Sequence, residues 1–149
     1  MRILFLCSGN ICRSPMAAEY ARHRAAQAGL SHLMVDSAGT LGIEGAPASM
    51  EAVQVLREEG LDLSGHRSRG IRRSDITGSD LVLVMEHHHL EELYHRFPAP
   101  AGAVHLLRAF DDGPDPVPGA PDLDDPIGHS LATYQARFQE IRTAVDHLM

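Results

Sequence analysis

An apolar run near the start of the chain ends on a cysteine and, within six residues, becomes a helix. Ile3-Leu4-Phe5-Leu6 leads into Cys7-Ser8-Gly9-Asn10-Ile11-Cys12-Arg13-Ser14-Pro15, and an alanine-rich pattern from Met16 to Ala28 follows. The order reads strand, tight loop, helix start. An unbroken apolar run fits a parallel strand buried on both faces, here over residues 2–6. Ala17, Ala21, Ala25 and Ala28 recur at helical spacing, which predicts a helix over about residues 14–28 that can lie close on a sheet. Gly29 is placed to end it.

A loop that feeds a helix N-terminus presents backbone N–H groups without intrahelical partners, and the helix dipole adds positive potential. The amides of residues 8–14 can then curl around an oxyanion such as phosphate. Gly9 permits tight curvature, and Asn10 tolerates left-handed dihedrals. Arg13 can fork onto two phosphate oxygens. Cys7 would lie at the bottom of the cup, where a helix N-terminus and a guanidinium favour thiolate over thiol. The Ser14 hydroxyl could donate to that sulfur. A nucleophilic sulfur under an oxyanion cup points to phosphoryl transfer through a cysteinyl-phosphate. The plainer reading is a buried cysteine before an ordinary strand–helix turn, but five residue types here fall where one mechanism needs them.

Composition bounds the alternatives. The 149 residues fit one domain, 1–149, and 44% hydrophobic content supplies a core. A net charge of −7 argues against a nucleic-acid partner. The two cysteines share one loop, which excludes a disulfide framework and suits a reducing cytoplasm. No apolar run approaches the ~20 residues of a membrane span, so no membrane partner is expected.

Further elements follow in order. Met34 to Thr40 reads as a second strand ending in a loop. Ser49 is placed to cap a helix over about residues 50–59, with Ala52, Val53 and Leu56 facing inward and Gly60 as its stop. Arg67, Arg69, Arg72 and Arg73 read as a solvated basic face. Asp80 to Met85 is an interior strand after a turn at residues 77–79. The next helix starts near Glu86 and buries Leu90, Leu93 and Phe97. Its three histidines, His87 to His89, point about 100° apart in succession, so they read as a polar helix start rather than a metal set. Residues 103–107 form a short fourth strand. Residues 110–125 are a Pro-, Gly- and Asp-rich loop, and Leu131, Tyr134, Phe138, Ile141, Val145 and Leu148 mark a last helix over about residues 131–148. The alternation predicts a doubly wound α/β fold. Its four-stranded parallel sheet takes the order 2-1-3-4, flanked by helices on both faces. Ligands of such sheets sit at the switch point beyond the C-terminal strand ends, where Cys7 lies.

Cys7 to Pro15 resembles, without a gap, the signature of the low-molecular-weight protein tyrosine phosphatases, Cys-x-Gly-Asn-x-Cys-Arg-Ser-Pro after the first strand. The likeness extends over essentially the whole chain. Asp36-Ser37-Ala38-Gly39-Thr40 is similar to a family segment whose serine holds the loop asparagine, which implies that Ser37 steadies Asn10. His66, in a Gly-x-x-x-x-x-His context before basic residues, is implied to join the network behind the loop. Asp124-Asp125-Pro126 resembles the family's Asp-Pro motif, whose aspartate is the general acid. The match falls on Asp125, with Asp124 its neighbour and rival. The resemblance implies Cys7 as nucleophile, Arg13 as phosphate clamp, and Ser8, Gly9, Asn10, Ile11, Cys12 and Ser14 as the rest of the phosphate loop. Charge stabilisation comes from amides and arginine, so no metal or cofactor is expected. The second cysteine, Cys12, is implied to trap an oxidised Cys7 as a disulfide. Phosphotyrosine-containing proteins, among them bacterial tyrosine kinases, are the implied partners.

There are departures. Ile127 and Gly128 replace a tyrosine pair found after the Asp-Pro in many relatives, and the entrance-loop tryptophan of others is absent. Three rivals stay open: a protein-arginine phosphatase, an arsenate reductase, and a phosphoprotein-binding module without turnover. Arginine-directed relatives carry threonine where Ile11 stands here, and thioredoxin-coupled reductases need two more cysteines than this chain has.

Overall fold

The computed structural model describes residues 1–149. Four strands, β1 (Arg2–Cys7), β2 (Met34–Gly39), β3 (Leu81–Val84) and β4 (Ala103–Leu106), form one parallel sheet in the order β2-β1-β3-β4. The predicted order holds. The apolar run makes β1 a central strand, and Ile3 to Cys7 are all buried. Its register pairs Leu6 with Ala38 and Cys7 with Gly39 on one side, and Leu6 with Val84 on the other. The chain leaves β1 toward β2 in one direction and β3 toward β4 in the other. Right-handed crossovers then send the intervening helices to opposite faces. The direction of winding reverses at β1, so a crevice opens at its C-terminal end.

Helix α1 (Arg13–Gln27) packs on β1 and β2. Ala17, Ala18 and Ala21 are buried, and their small size lets the helix axis approach the sheet. The helix ends in a Schellman arrangement. Leu30 N–H reaches Ala25 O at 2.9 Å, and Gly29 takes the left-handed φ of 70° that this turn requires. Ala28 is exposed rather than part of the buried stripe. Helix α5 (Leu131–Leu148) covers α1, with Phe138 edge-on to Tyr20 at 5.5 Å. Tyr134, Phe138, Ile141 and Val145 are buried as the spacing predicted, while Leu131 stays exposed at the first turn.

Three further expectations need correction. Helix α2 (Met50–Glu58) buries Ala52, Val55 and Leu56, and Val53 is only half-buried. The positions at i, i+3 and i+4 from Ala52 form one face, which Val53 leaves by one residue. The arginine-rich segment is not a bare solvated face. A short helix α3 (Arg73–Gly78) follows it, and Asp75 accepts from Arg72 N–H at 2.8 Å and from Arg69 at 2.8 and 2.9 Å. Helix α4 (His87–Arg96), on β3 and β4, buries Leu93 and His89, whereas Leu90 is half-buried. Beyond β4 the chain closes in a 3-10 turn, Leu107–Phe110, that buries Leu107 and Phe110. No helix is long and apolar enough to cross a membrane.

Candidate active site

Between β1 and α1, residues 7–14 curl into a loop around a single left-handed residue, Asn10, with φ 57°. This is a sterically costly conformation for a side-chain-bearing residue, and asparagine is among the few that adopt it. Here every polar group of Asn10 is used. Its Nδ2 donates to Ser14 Oγ at 2.8 Å and to Ser37 Oγ at 2.9 Å. Its Oδ1 accepts from Arg69 N–H at 3.0 Å, and its backbone carbonyl accepts from His66 Nε2 at 2.7 Å. A carbonyl can only accept, so His66 carries its proton on Nε2. Burial holds the His66 pKa below the usual histidine value, against the opposing effect of that hydrogen bond. Ser37 and His66 thus both contact Asn10, one at its side chain and one at its backbone.

The backbone of β2 contributes a wall of its own. Gly39 lies so close to the loop that a Cβ there would stand 2.6 Å from Ser8 O and 3.0 Å from Asn10 N. Thr40 N–H donates to Cys7 O and Leu41 N–H to Ser8 O. On the far side, Ser49 N–H donates to Ile11 O at 2.9 Å, while its hydroxyl caps α2. The loop is therefore held by β2, α2 and the segment before α3 together.

Cys7 is buried at the floor. Its Sγ lies 2.9 Å from Ser14 Oγ and accepts from Asn10 N–H at 3.3 Å. Both contacts suit a sulfur that carries negative charge. Cys12 is a different kind of thiol. Its Sγ meets Tyr134 OH at 3.2 Å and Ser49 Oγ at 3.5 Å, and burial pushes its pKa up despite those two hydrogen bonds. Neither cysteine is in a disulfide.

Arg13 is only 1% exposed. Its Nη1 donates to Glu86 Oε2 at 2.6 Å and to Leu123 O at 2.7 Å, and its Nη2 lies 3.6 Å from Asp125 Oδ2. Asp125 also accepts from Ile127 N–H at 3.0 Å, which folds the loop back onto the cup. The Asp124 side chain is 76% exposed and reaches toward Arg137 at 3.6 Å. Between the two aspartates, only Asp125 lines the cavity.

That cavity measures about 230 Å³. Cys7, Ser8, Gly9, Cys12 and Arg13 form its depth, and Ile11, Leu41, Ile43 and Ile127 line its aliphatic sides beside Asp125. Leu41, Ile43 and Ile127 are exposed large apolar residues gathered at one mouth.

Sequence reasoning missed several participants. Glu86, the partner of Arg13, carried no motif. His89 read as part of a polar helix start, yet it is fully buried against the loop, with Nε2 2.7 Å from Ser8 Oγ. The histidine run was the available signal, since a buried third helical position faces the strand from which it springs. Glu86, His88 and His89 converge within 4.8 Å, so two adjacent histidines do approach one point, while His87 turns away to Asp122. Their atoms are already engaged: Glu86 Oε2 by Arg13 and His88, and the two ring nitrogens of His89 by Glu86 N–H and Ser8.

Fold and site together define a class: an α/β phosphatase scaffold whose strand-to-helix loop curls over a buried cysteine. The family of the low molecular weight phosphotyrosine protein phosphatases matches residues 2–149, and the chain belongs to that family. Its relatives include a protein-arginine-phosphatase from Geobacillus stearothermophilus, 36% identical over 147 residues, with 99% of this chain and 93% of the relative covered. A low molecular weight protein tyrosine phosphatase from T. tengcongensis superposes with a TM-score of 0.89 at 38% identity, covering 99% of this chain and 97% of its own. A YwlE arginine phosphatase, a cysteine-to-serine mutant with a phosphorylated active-site serine, superposes with a TM-score of 0.90 at 29% identity, covering 99% and 93%.

Proposed function

We propose that this protein hydrolyses protein phosphotyrosine through a cysteinyl-phosphate, with Cys7 as nucleophile, Arg13 as clamp and Asp125 as general acid. The observation that carries the reading is the Cys7 sulfur, backed by Ser14 and Asn10 N–H, at the floor of a cavity that also holds Arg13 and Asp125. The phosphoryl group enters the amide cup and Arg13 forks onto its oxygens. The sulfur attacks phosphorus in line, an S–P bond forms, the P–O bond breaks, and Asp125 protonates the departing oxygen. Asp125 then takes a proton from water, which attacks phosphorus and frees the sulfur. Ser14 stabilises the sulfur as it leaves, and Ser37 and His66 keep Asn10 in its left-handed conformation.

Relatives carry both tyrosine and arginine in their names, so substrate preference rests on the cavity wall. Ile11, Leu41, Ile43 and Ile127 offer apolar faces that suit a phenyl ring. A phosphoguanidinium would bring N–H groups against the same faces with only Asp125 to receive them. An arsenate reductase of the thioredoxin-coupled kind needs cysteines beyond Cys7 and Cys12. Partners on this reading are phosphotyrosine-bearing proteins, bacterial tyrosine kinases included. The two free thiols fit a reducing cytoplasm, and residues 1–149 act as one catalytic domain. Under peroxide, Cys12 traps oxidised Cys7, and a Cys7–Cys12 disulfide in the mass spectrum is the expected sign.

The deciding experiment measures p-nitrophenyl phosphate turnover first, then matched phosphotyrosine and phosphoarginine peptides. Cys7→Ser abolishes turnover on this reading. Wild-type release by that variant overturns the nucleophile, and a preference for phosphoarginine overturns the substrate.

A further inference from the structure

The Ser8–His89 contact contains more than packing. Ring proton placement at His89 is fixed by its neighbours. Glu86 N–H donates to Nδ1 at 3.1 Å, so Nδ1 is the acceptor nitrogen and the ring proton sits on Nε2. Nε2 lies 2.7 Å from Ser8 Oγ, and with that proton in place the bond runs one way, from ring to hydroxyl oxygen. The Ser8 hydroxyl receives a proton from behind and makes no other hydrogen bond within the protein. Its own hydrogen is left over. Ser8 lines the cavity above Cys7, and His89 is wholly shut off from solvent behind it.

We propose that Ser8 and His89 form a relay of orientation: His89 fixes the Ser8 hydroxyl so that its O–H points into the cup and donates to a phosphoryl oxygen. Ser8 is then a binding group beyond the main-chain donors, and His89 a positioning residue that acts only through it. Burial, and next the nearby charge of Arg13, push the His89 pKa down to about 3, which keeps the ring neutral and its tautomer single at ordinary pH. A charged ring would donate from both nitrogens and lose the Glu86 N–H contact. Glu86 is also the partner of Arg13, so the backbone that sets the histidine tautomer also carries the carboxylate that orients the clamp.

This proposal rests on the phosphate-binding reading of the loop. It is tested separately by calorimetric binding of orthophosphate and by p-nitrophenyl phosphate kinetics, with unfolding midpoints as a fold check. Ser8→Ala weakens orthophosphate roughly tenfold to a hundredfold, the range for one hydrogen bond to a charged acceptor. Ser8→Thr, which keeps a hydroxyl, restores most of it. His89→Gln, which can present an N–H near the Nε2 position, stays within a few-fold of the parent, whereas His89→Leu loses as much affinity as Ser8→Ala. The decisive comparison is the double-mutant cycle. In the Ser8→Ala background, His89→Leu changes phosphate affinity less than threefold, because the hydroxyl through which it acts has gone. An equal loss in both backgrounds means that His89 is merely structural and overturns the relay. Unchanged phosphate affinity in Ser8→Ala overturns it as well. A wild-type protein that binds orthophosphate without turning over ester sinks the phosphatase reading and leaves the Ser8 test standing.

Discussion

Arg13 and Glu86 meet at 2.6 Å, with the guanidinium all but sealed from water. The cation of the cup is therefore balanced before any oxyanion arrives. Removing one member of a buried pair strands the other, at a cost of roughly 3–5 kcal/mol. Glu86→Ala is expected to lower unfolding stability by an amount near the bottom of that range, since the carboxylate keeps some solvent contact. Inorganic phosphate should restore part of it by binding the folded state alone. Urea titrations with and without phosphate measure both effects. A variant as stable as its parent in phosphate-free buffer contradicts the account.

Gly39 has no room for a methyl group. The atoms that its Cβ would strike are Ser8 O, Asn10 N and Asn10 Cβ, none of which can rotate away without moving the loop backbone. Gly39→Ala is expected to cost about 1–3 kcal/mol in strain and to reduce orthophosphate affinity at least tenfold, because the loop must move to relieve the overlap. Gly113→Ala, where nothing stands within 4 Å, is the matched control and should leave both quantities unaltered.

Acid sensitivity follows from the buried histidines. The His89 pKa falls to about 3 in the folded protein, and that of His66 is also lowered. The unfolded chain, with histidines near ~6.5, binds more protons below that pH, so stability rises with pH there. The contribution is fully present above about pH 6.5. It is lost on descending toward pH 3, at about 1.4 kcal/mol per pH unit for each histidine that is charged only when unfolded. Between pH 6.5 and 5, His89→Gln should show a flatter slope of unfolding free energy against pH than its parent, the carboxylates being common to both. An unchanged slope means that His89 is not held neutral.

Ile11 is the side chain on which substrate preference should turn. Ile11→Thr places a hydroxyl in the cavity wall, where it can meet a phosphoguanidinium N–H or the attacking water. The ratio of kcat/KM for phosphoarginine to phosphotyrosine peptides should rise by about tenfold, the upper end of what one added hydrogen bond contributes. A ratio that does not move shifts responsibility to Leu41, Ile43 and Ile127.

The fold was legible because β1, the alanine helix and α5 are strongly periodic, and periodicity reports which face is buried. The cup was legible for a second reason: its residues are contiguous, so one short stretch carries the strand end, the left-handed turn and the clamp. Ser37, His66 and Asp125 come from a distance and were legible only because family motifs mark them; distant partners without such a motif were not. Glu86, His89 and Arg69 lie 59 to 82 positions from Cys7 or Asn10, and single charged residues at that range look like any solvated surface. Arg69 shows why. Burial alone would raise the Asp75 carboxyl, yet the hydrogen bonds from Arg69 and Arg72 N–H hold it low, which makes this a built ion pair. No local pattern distinguishes such a pair from a charge run. Gly39 was visible only as part of a strand end, because close backbone approach leaves no periodic trace.

Leu123 is wholly buried, with its N–H on Met85 O at 2.8 Å and its carbonyl on Arg13 at 2.7 Å. It lies two residues before Asp125, so it fastens the long connector from the 3-10 turn just upstream of the carboxylate. Slack added or removed between residues 112 and 119 stops at this fastening and does not reach the cup. That connector can lengthen, shorten or acquire a new surface while the carboxylate beside Arg13 keeps its post.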